Sequence, residues 1–229
     1  MKLTSTLVEA TLLERTTRFS TLVELRGQPQ LAHLPNSGRL EGCLQPGARV
    51  LLAEHQAHRR RTGYDLVMAL VGEVLVSVDA RLPTALVAEA FSRRALAPFA
   101  GYTEMEREVT WGGSRIDLLF SAPARKGLVE VKSVTLVRGG RALFPDAPTL
   151  RGRRQLATLV QAQKQGYEAA IIFVVQRPDA FALHPNAPAD PYFAQALREA
   201  VAQGVVPYAY TCQVSPDEIT LTQRIPVFL

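Results

Sequence analysis

Near residue 80 the spacing of apolar residues in this chain changes its period. Before that point they fall in five short runs: "TLVEATLLER", "STLVELRG", "GARVLLAEH", "GYDLVMALVG" and "EVLVSV". Turns containing Gly or Pro bound the runs, a pattern that predicts a small β-barrel over residues 1–80. Beyond it, "LPTALVAEAFSRRAL" (82–96) sets Leu82, Leu86, Ala90 and Phe91 at helical spacing, with Pro83 near the start. The chain has 229 residues, 47% hydrophobic and 21% charged, enough to build a core for two such halves. The expectation is an α+β protein of two domains, 1–80 and 81–229.

In the second half, three strand-like runs follow the helix: "EMEREVTW", "SRIDLLFS" and "GLVEVKSV". An irregular segment is expected from Arg138 to Pro148, then a helix from about Thr149 to Gln165, stopped at Gly166. "AAIIFVVQ" is a continuous apolar run, as in a strand buried on both faces. A helix over Pro191 to Ala202 and a strand at "VPYAYTCQV" complete the half. The order is α, three β, α, β, with an appended helix and strand. A five-stranded barrel in front of it has the proportions of an OB-fold, a common nucleic-acid platform.

Three charged residues lie inside those strand runs. Asp117 interrupts "RIDLLF", and Glu130 and Lys132 interrupt "LVEVKS". Burying a charge is costly unless it is paired or bound. Strand alternation puts Ile116, Leu118 and Phe120 on one face, Asp117 on the other, and Glu130 and Lys132 about 7 Å apart on a shared face. On neighbouring strands, Asp117 and Glu130 reach one surface. Two close carboxylates repel unless protonated or bridged by a cation, and oxygen ligands suit Mg²⁺ or Mn²⁺. A lysine beside them can stabilise charge developing on a phosphate. These are the parts for metal-assisted phosphodiester hydrolysis. The bland alternative is an ion-pair network of Asp117 with Arg115 or Lys132.

The net charge is +5, with +4 of it on residues 81–229, which favours a polyanionic partner. Arg138 to Arg154 holds five arginines against Asp146 alone, and Arg151 and Arg154 share a helical face. In "LPNSGRLEG" Arg39 projects from a turn, either toward a phosphate or onto Glu41. "HRRRTGY" sets Arg59, Arg60 and Arg61 beside Tyr64, suited to nucleic-acid contact by charge and stacking. Asp146 either supports the metal site through water or forms a local Asx turn, and the turn is the first expectation. Cys43 and Cys212 are far apart, which argues against a disulfide framework or a zinc site. No apolar run is long enough to cross a membrane, and Glu9 and Glu14 interrupt the first one, so a cytoplasmic protein is expected. No P-loop, Rossmann glycine pattern, zinc finger or helix-turn-helix is evident, so nucleic-acid binding would act through backbone charge.

The spacing D-x12-E-V-K over an αβββαβ order resembles the PD-(D/E)-x-K nuclease superfamily, with Ile116 in place of the proline of that name. "HLPNSGRLEG", "SRIDLL", "EVKSVTL" and "FPDAPTLRG" together resemble the sugar fermentation stimulation protein family, over nearly the whole chain. The resemblance implies an N-terminal OB-like domain, a nuclease-like C-terminal domain and binding of nucleic acid, DNA first. It implies Mg²⁺ or Mn²⁺ ligands at Asp117, Glu130 and the Val131 backbone carbonyl, with Lys132 as the catalytic lysine. Glu89 matches the helical acid of the superfamily. Gln155 stands at a polar helix position where related sequences often carry His. The family phenotype leaves two functions open: a metal-dependent nuclease, or a non-catalytic DNA-binding regulator of sugar-metabolism genes that keeps the nuclease fold. An enzyme acting on a sugar phosphate is a weaker third.

Overall fold

The structure, a computed structural model, describes residues 1–55 and 62–229. Among the described residues six strands make the first half: β1 (Leu7–Thr17), β2 (Ser20–Leu25), β3 (Gln28–His33), β4 (Arg49–Glu54), β5 (Tyr64–Val71) and β6 (Val74–Ser77). Their order is β3-β2-β1-β4-β5-β6, and a parallel pairing at His33 and Asp65 closes the ring between β3 and β5. Irregularities in the β1–β2 register, between Leu12 and Glu14 and again before Thr17, let the long β1 serve both β2 and β4. The result is a closed five-stranded barrel around Leu12, Val23, Leu34, Val50, Leu52 and Leu66.

The membership of that ring differs from the sequence expectation. "EVLVSV" is not the fifth barrel strand; as β6 it forms a hairpin on β5 outside the ring. The missing member is β3, "QPQLAH", whose only fully buried side chain is Ala32. A strand with one small inward residue and a proline carries almost no alternation to read.

The second half contains α1 (Leu82–Ser92), β7 (Glu104–Trp111), β8 (Ser114–Ala122), β9 (Arg125–Val134), β10 (Val137–Arg138) and β11 (Arg141–Phe144). It continues with α2 (Leu150–Lys164), β12 (Glu168–Val175), β13 (Ala182–Pro185), α3 (Pro191–Ala202), β14 (Val206–Val214) and β15 (Ile219–Ile225). The main sheet runs β15-β14-β12-β9-β8-β7, with β9, β12 and β14 parallel and the flanking pairs antiparallel. Alternate residues of β12 enter two cores. Ile172 and Val174 pack with α1 and the barrel residues Val67 and Met68, while Ile171, Phe173 and Val175 pack under α2 and α3. The apolar run is buried on both faces, and the α1 core is continuous with the barrel. The first residues also reach the second half, through the Lys2–Glu218 bridge and the Leu3 N–H on Asp217 O at 2.8 Å.

The stretch expected to be irregular holds β10 and β11, which join β13 in a small second sheet. Gly139 and Gly140, both at positive φ, make the β10–β11 turn. The alternation expected along β8 also breaks. Leu118 and Phe120 pack in the α1 core, but Ile116 packs under α2 and α3. The break falls at Asp117.

Candidate active site

The β8–β9 ladder runs from the Ala122–Arg125 pair to the Leu118–Val129 pair and stops there. At the next position Asp117 Oδ2 accepts the Val131 N–H at 2.8 Å. A side chain thus takes the bond a ladder partner would have made, and the two strands diverge. The Val131 N–H and C=O point to the same edge of an extended strand, so its carbonyl also faces this gap. Glu130 and Val131 pair with Ile171 and Ile172 of β12, whose burial anchors them at the centre of the sheet.

Glu130 is 1% exposed. Its Oε1 accepts from Lys132 Nζ at 2.7 Å and from Gln155 Nε2, and the Lys132 ammonium also donates to Gln155 Oε1 at 2.7 Å. Its Oε2 is buried and has no hydrogen-bond partner among the described residues. Burial raises the Glu130 carboxyl, the Lys132 ammonium pulls it back and the Asp117 carboxylate adds to the rise, leaving it at about 7. Gln155 is itself buried, placed there by the α2 face that carries Leu156 and Leu159 into the core.

A cleft of about 340 Å³ opens over this cluster, lined by Asp117, Glu130, Lys132, Ser133, Arg151 and Gln155. Its far wall is the barrel loop of Asn36, Ser37 and Gly38, with Arg18. That loop is fixed from both sides. Arg15 donates to the carbonyls of Gly38 at 2.7 Å and Arg39 at 3.0 Å, and Asn36 Nδ2 donates to Val78 O at 2.9 Å. From the second half, Asp146 Oδ2 accepts the Leu40 N–H at 2.9 Å. Asp146 is therefore a clamp between the two halves, not a local turn residue.

The remaining expected residues are dispersed. Glu89 is not in the cleft: it bonds to Arg93 and to the Met1 ammonium, each at 2.7 Å, because α1 turns it toward the β14–β15 end while Pro83 and Thr84 face the cleft. Arg39 lies outside the cleft and pairs with Glu41 at 3.6 Å. Tyr64 packs on the barrel core. Arg154 is exposed on α2 beside the cleft-lining Arg151. Arg59, Arg60 and Arg61 lie outside the described residues. Arg115 pairs with Glu108, so it does not neutralise Asp117. Sequence reasoning missed Ser133 and Arg18. Ser133 directly follows Lys132, whereas nothing local marks Arg18, which reaches the cleft through barrel closure.

The residues present fit a hard divalent cation. An unpartnered buried Glu130 oxygen, a second carboxylate beside it and a carbonyl aimed at the gap form an oxygen donor set. Among the described residues no group of three or more His, Cys, Asp or Glu side chains could hold a metal. Two carboxylates, with water and substrate completing the shell, match the habit of Mg²⁺.

A closed OB barrel leading into a mixed α/β domain defines the class of this protein. Residues 13–78 match the family described as "SfsA N-terminal OB domain", and residues 81–218 match "Sugar fermentation stimulation protein RE domain". The chain belongs to the sugar fermentation stimulation protein family. It is 43% identical over 231 residues to the homolog from Moorella thermoacetica, covering 100% of both chains. It is 45% identical over 222 residues to that from Chloroflexus aurantiacus, covering 97% of this chain and 86% of the other. The solved structure of Pyrococcus furiosus SfsA in complex with Ca²⁺ superimposes with a TM-score of 0.90 at 27% identity, over 100% of each chain. No described helix is long and apolar enough to cross a membrane.

Proposed function

We propose that this protein binds DNA in the cleft between its barrel and its second domain and hydrolyses phosphodiester bonds there with Mg²⁺ or Mn²⁺. The observation that carries the reading is the Glu130 carboxylate. One oxygen is held by Lys132 and Gln155, and the other is buried beside Asp117 with no hydrogen-bond partner among the described residues. An unsatisfied buried oxygen is costly in a purely structural network. The Ca²⁺ complex of the Pyrococcus furiosus relative supports a hard, oxygen-seeking cation in this family.

Asp117, Glu130 and the Val131 carbonyl would hold the ion. When bound, it supplies Lewis acidity toward a phosphoryl oxygen and lowers the pKa of water. Lys132 holds an ammonium at the cleft wall, where it stabilises negative charge on the phosphate as the bond to the attacking oxygen forms. Gln155 fixes both Glu130 and Lys132. Arg18 and Arg151, which line the cleft, and the exposed Arg154 supply cations for the phosphate backbone.

The test is thermal melting with and without Mn²⁺ or Mg²⁺, paired with a cleavage assay on single- and double-stranded DNA. At a free metal concentration about 100 times Kd the wild type gains about 2.7 kcal/mol. Asp117→Asn and Glu130→Gln lose that gain and all cleavage. Metal binding without cleavage of any strand would instead favour the DNA-binding regulator.

A further inference from the structure

The first turn of α2 is charged against its own dipole. It holds Arg151 and Arg153, with Arg154 next, and no acidic residue. Helix N-termini favour anions, and cations there are unfavourable. None of these three arginines has a carboxylate within ion-pair distance among the described residues, and the buried Arg153 Nε has no hydrogen-bond partner there.

The N-terminus of α3 lies against this turn. Asp190 Oδ2 accepts the Thr149 N–H at 2.8 Å, and Asp190 Oδ1 accepts the Phe193 N–H at 2.9 Å. Asp190 is 2% exposed and both of its oxygens serve backbone donors, so this carboxylate stays committed to the caps. Tyr192, the second residue of α3, is 67% exposed. The Arg153 guanidinium stands over its ring, 5.3 Å from the centroid. An aromatic ring backed on one face by a cation and open on the other is a stacking surface.

We propose that Tyr192, backed by Arg153, stacks a base of single-stranded DNA where the strand leaves the cleft past Arg151 and Arg154. The proposal rests on the reading of the cleft as a DNA site and adds an exit path and a strand type. A base can lie flat on Tyr192 only when it is unpaired. Arg151, which lines the cleft, and Arg154, one turn on, carry the adjoining phosphates.

The experiment measures anisotropy of labelled oligothymidylates with the full chain in EDTA, which prevents cleavage. The probes are a dinucleotide, which only fills the cleft, a strand of about 12 nucleotides and a blunt duplex. Tyr192→Ala weakens the longer strand by about 5- to 100-fold, the cost of one stacked base. It leaves the dinucleotide and the duplex unchanged, and Tyr192→Phe restores the affinity. Equal binding of the longer strand by wild type and Tyr192→Ala overturns the platform and leaves the cleft reading standing. Equal losses on strand and duplex also overturn it, since no unpaired base would then be involved. If the wild type binds none of the three probes, the cleft reading falls and takes the platform with it. A Tyr192→Ala protein that has merely unfolded is recognised by its melting curve, and the Tyr192→Phe comparison then decides the point.

Discussion

Asp117 stands in for a β-strand: its carboxylate takes the Val131 N–H at 2.8 Å, where β8 stops pairing with β9. The same contact orients a potential metal ligand and exposes the carbonyl beside it. Asp117→Ala therefore removes a charge and also orphans a buried N–H, whereas Asp117→Asn keeps an acceptor oxygen for that bond. The Ala variant is expected to be less stable than the Asn variant by about 1–3 kcal/mol, while neither responds to metal. Chemical denaturation in EDTA measures the difference.

Glu130 sets a pH dependence. Its carboxyl is raised from 4.5 to about 7, so without metal its protonated form is favoured by folding. That contribution is complete below about pH 4.5 and is lost as pH rises through about 7. A divalent ion prefers the charged form, so metal-induced stabilisation grows over the same interval. Melting curves from pH 5 to 8, with and without Mn²⁺, should converge at the acid end. In Glu130→Gln the metal-free curve lacks this contribution and the two curves coincide throughout.

Lys132 and Gln155 should separate binding from chemistry. Lys132→Ala removes a cation 2.7 Å from Glu130 Oε1, so metal affinity holds or rises while cleavage is lost. Gln155→Ala leaves the charge balance intact but frees Lys132 and Glu130, so cleavage falls with a smaller change in metal affinity. Calorimetric metal titration beside a cleavage assay checks both. A Lys132→Ala protein that no longer binds metal would contradict this assignment.

The cleft wall offers a coupling test. A Cβ on Gly38 would stand 2.6 Å from Asp146 Oδ2, the oxygen that holds the Leu40 N–H. Gly38→Ala and Asp146→Ala are each expected to destabilise the protein by about 1–2 kcal/mol. The double variant should lose less than the sum, because Asp146→Ala removes the atom that the new methyl strikes. Urea unfolding of the four proteins gives the coupling energy, and strict additivity would refute the clash.

DNA affinity should fall steeply with salt, with log Kd rising nearly linearly against log salt. Arg151→Ala should lower the slope by about one phosphate contact on every sequence tested. Titrations at several salt concentrations measure it, and an unchanged slope would remove Arg151 from the DNA path.

Much of this architecture could be read from residue spacing. The three helices fall where periodicity, Pro83, Pro191 and Gly166 put them, and β12 has the two-sided burial of its apolar run. The central cluster of Asp117, Glu130 and Lys132 was also legible, because charges inside strand patterns need a reason. What could not be read depends on contacts distant in sequence. Strand β3 has little inward side chain and is held by its neighbours. Spacing alone does not mark Gln155; only the family resemblance singles it out, and the packing of α2 on β9 is what turns it inward. Glu89 had the right residue type on the right helix, but the turn it occupies faces another way. Asp146 suggested a local turn because its partner, Leu40, is 106 residues away.

The clasp between Asp146 and Leu40 bears on how such a protein can be inherited or rebuilt. One half supplies the charged floor of the slot and the other supplies its opposite wall, so the slot is not portable with either. A chimera that borrows its barrel from a distant relative must also bring a 36–40 loop that meets the carboxylate at position 146. Recombination near residue 80 would leave an open shelf in place of the slot, and it would also part Val67 and Met68 from the α1 and β12 side chains they pack against.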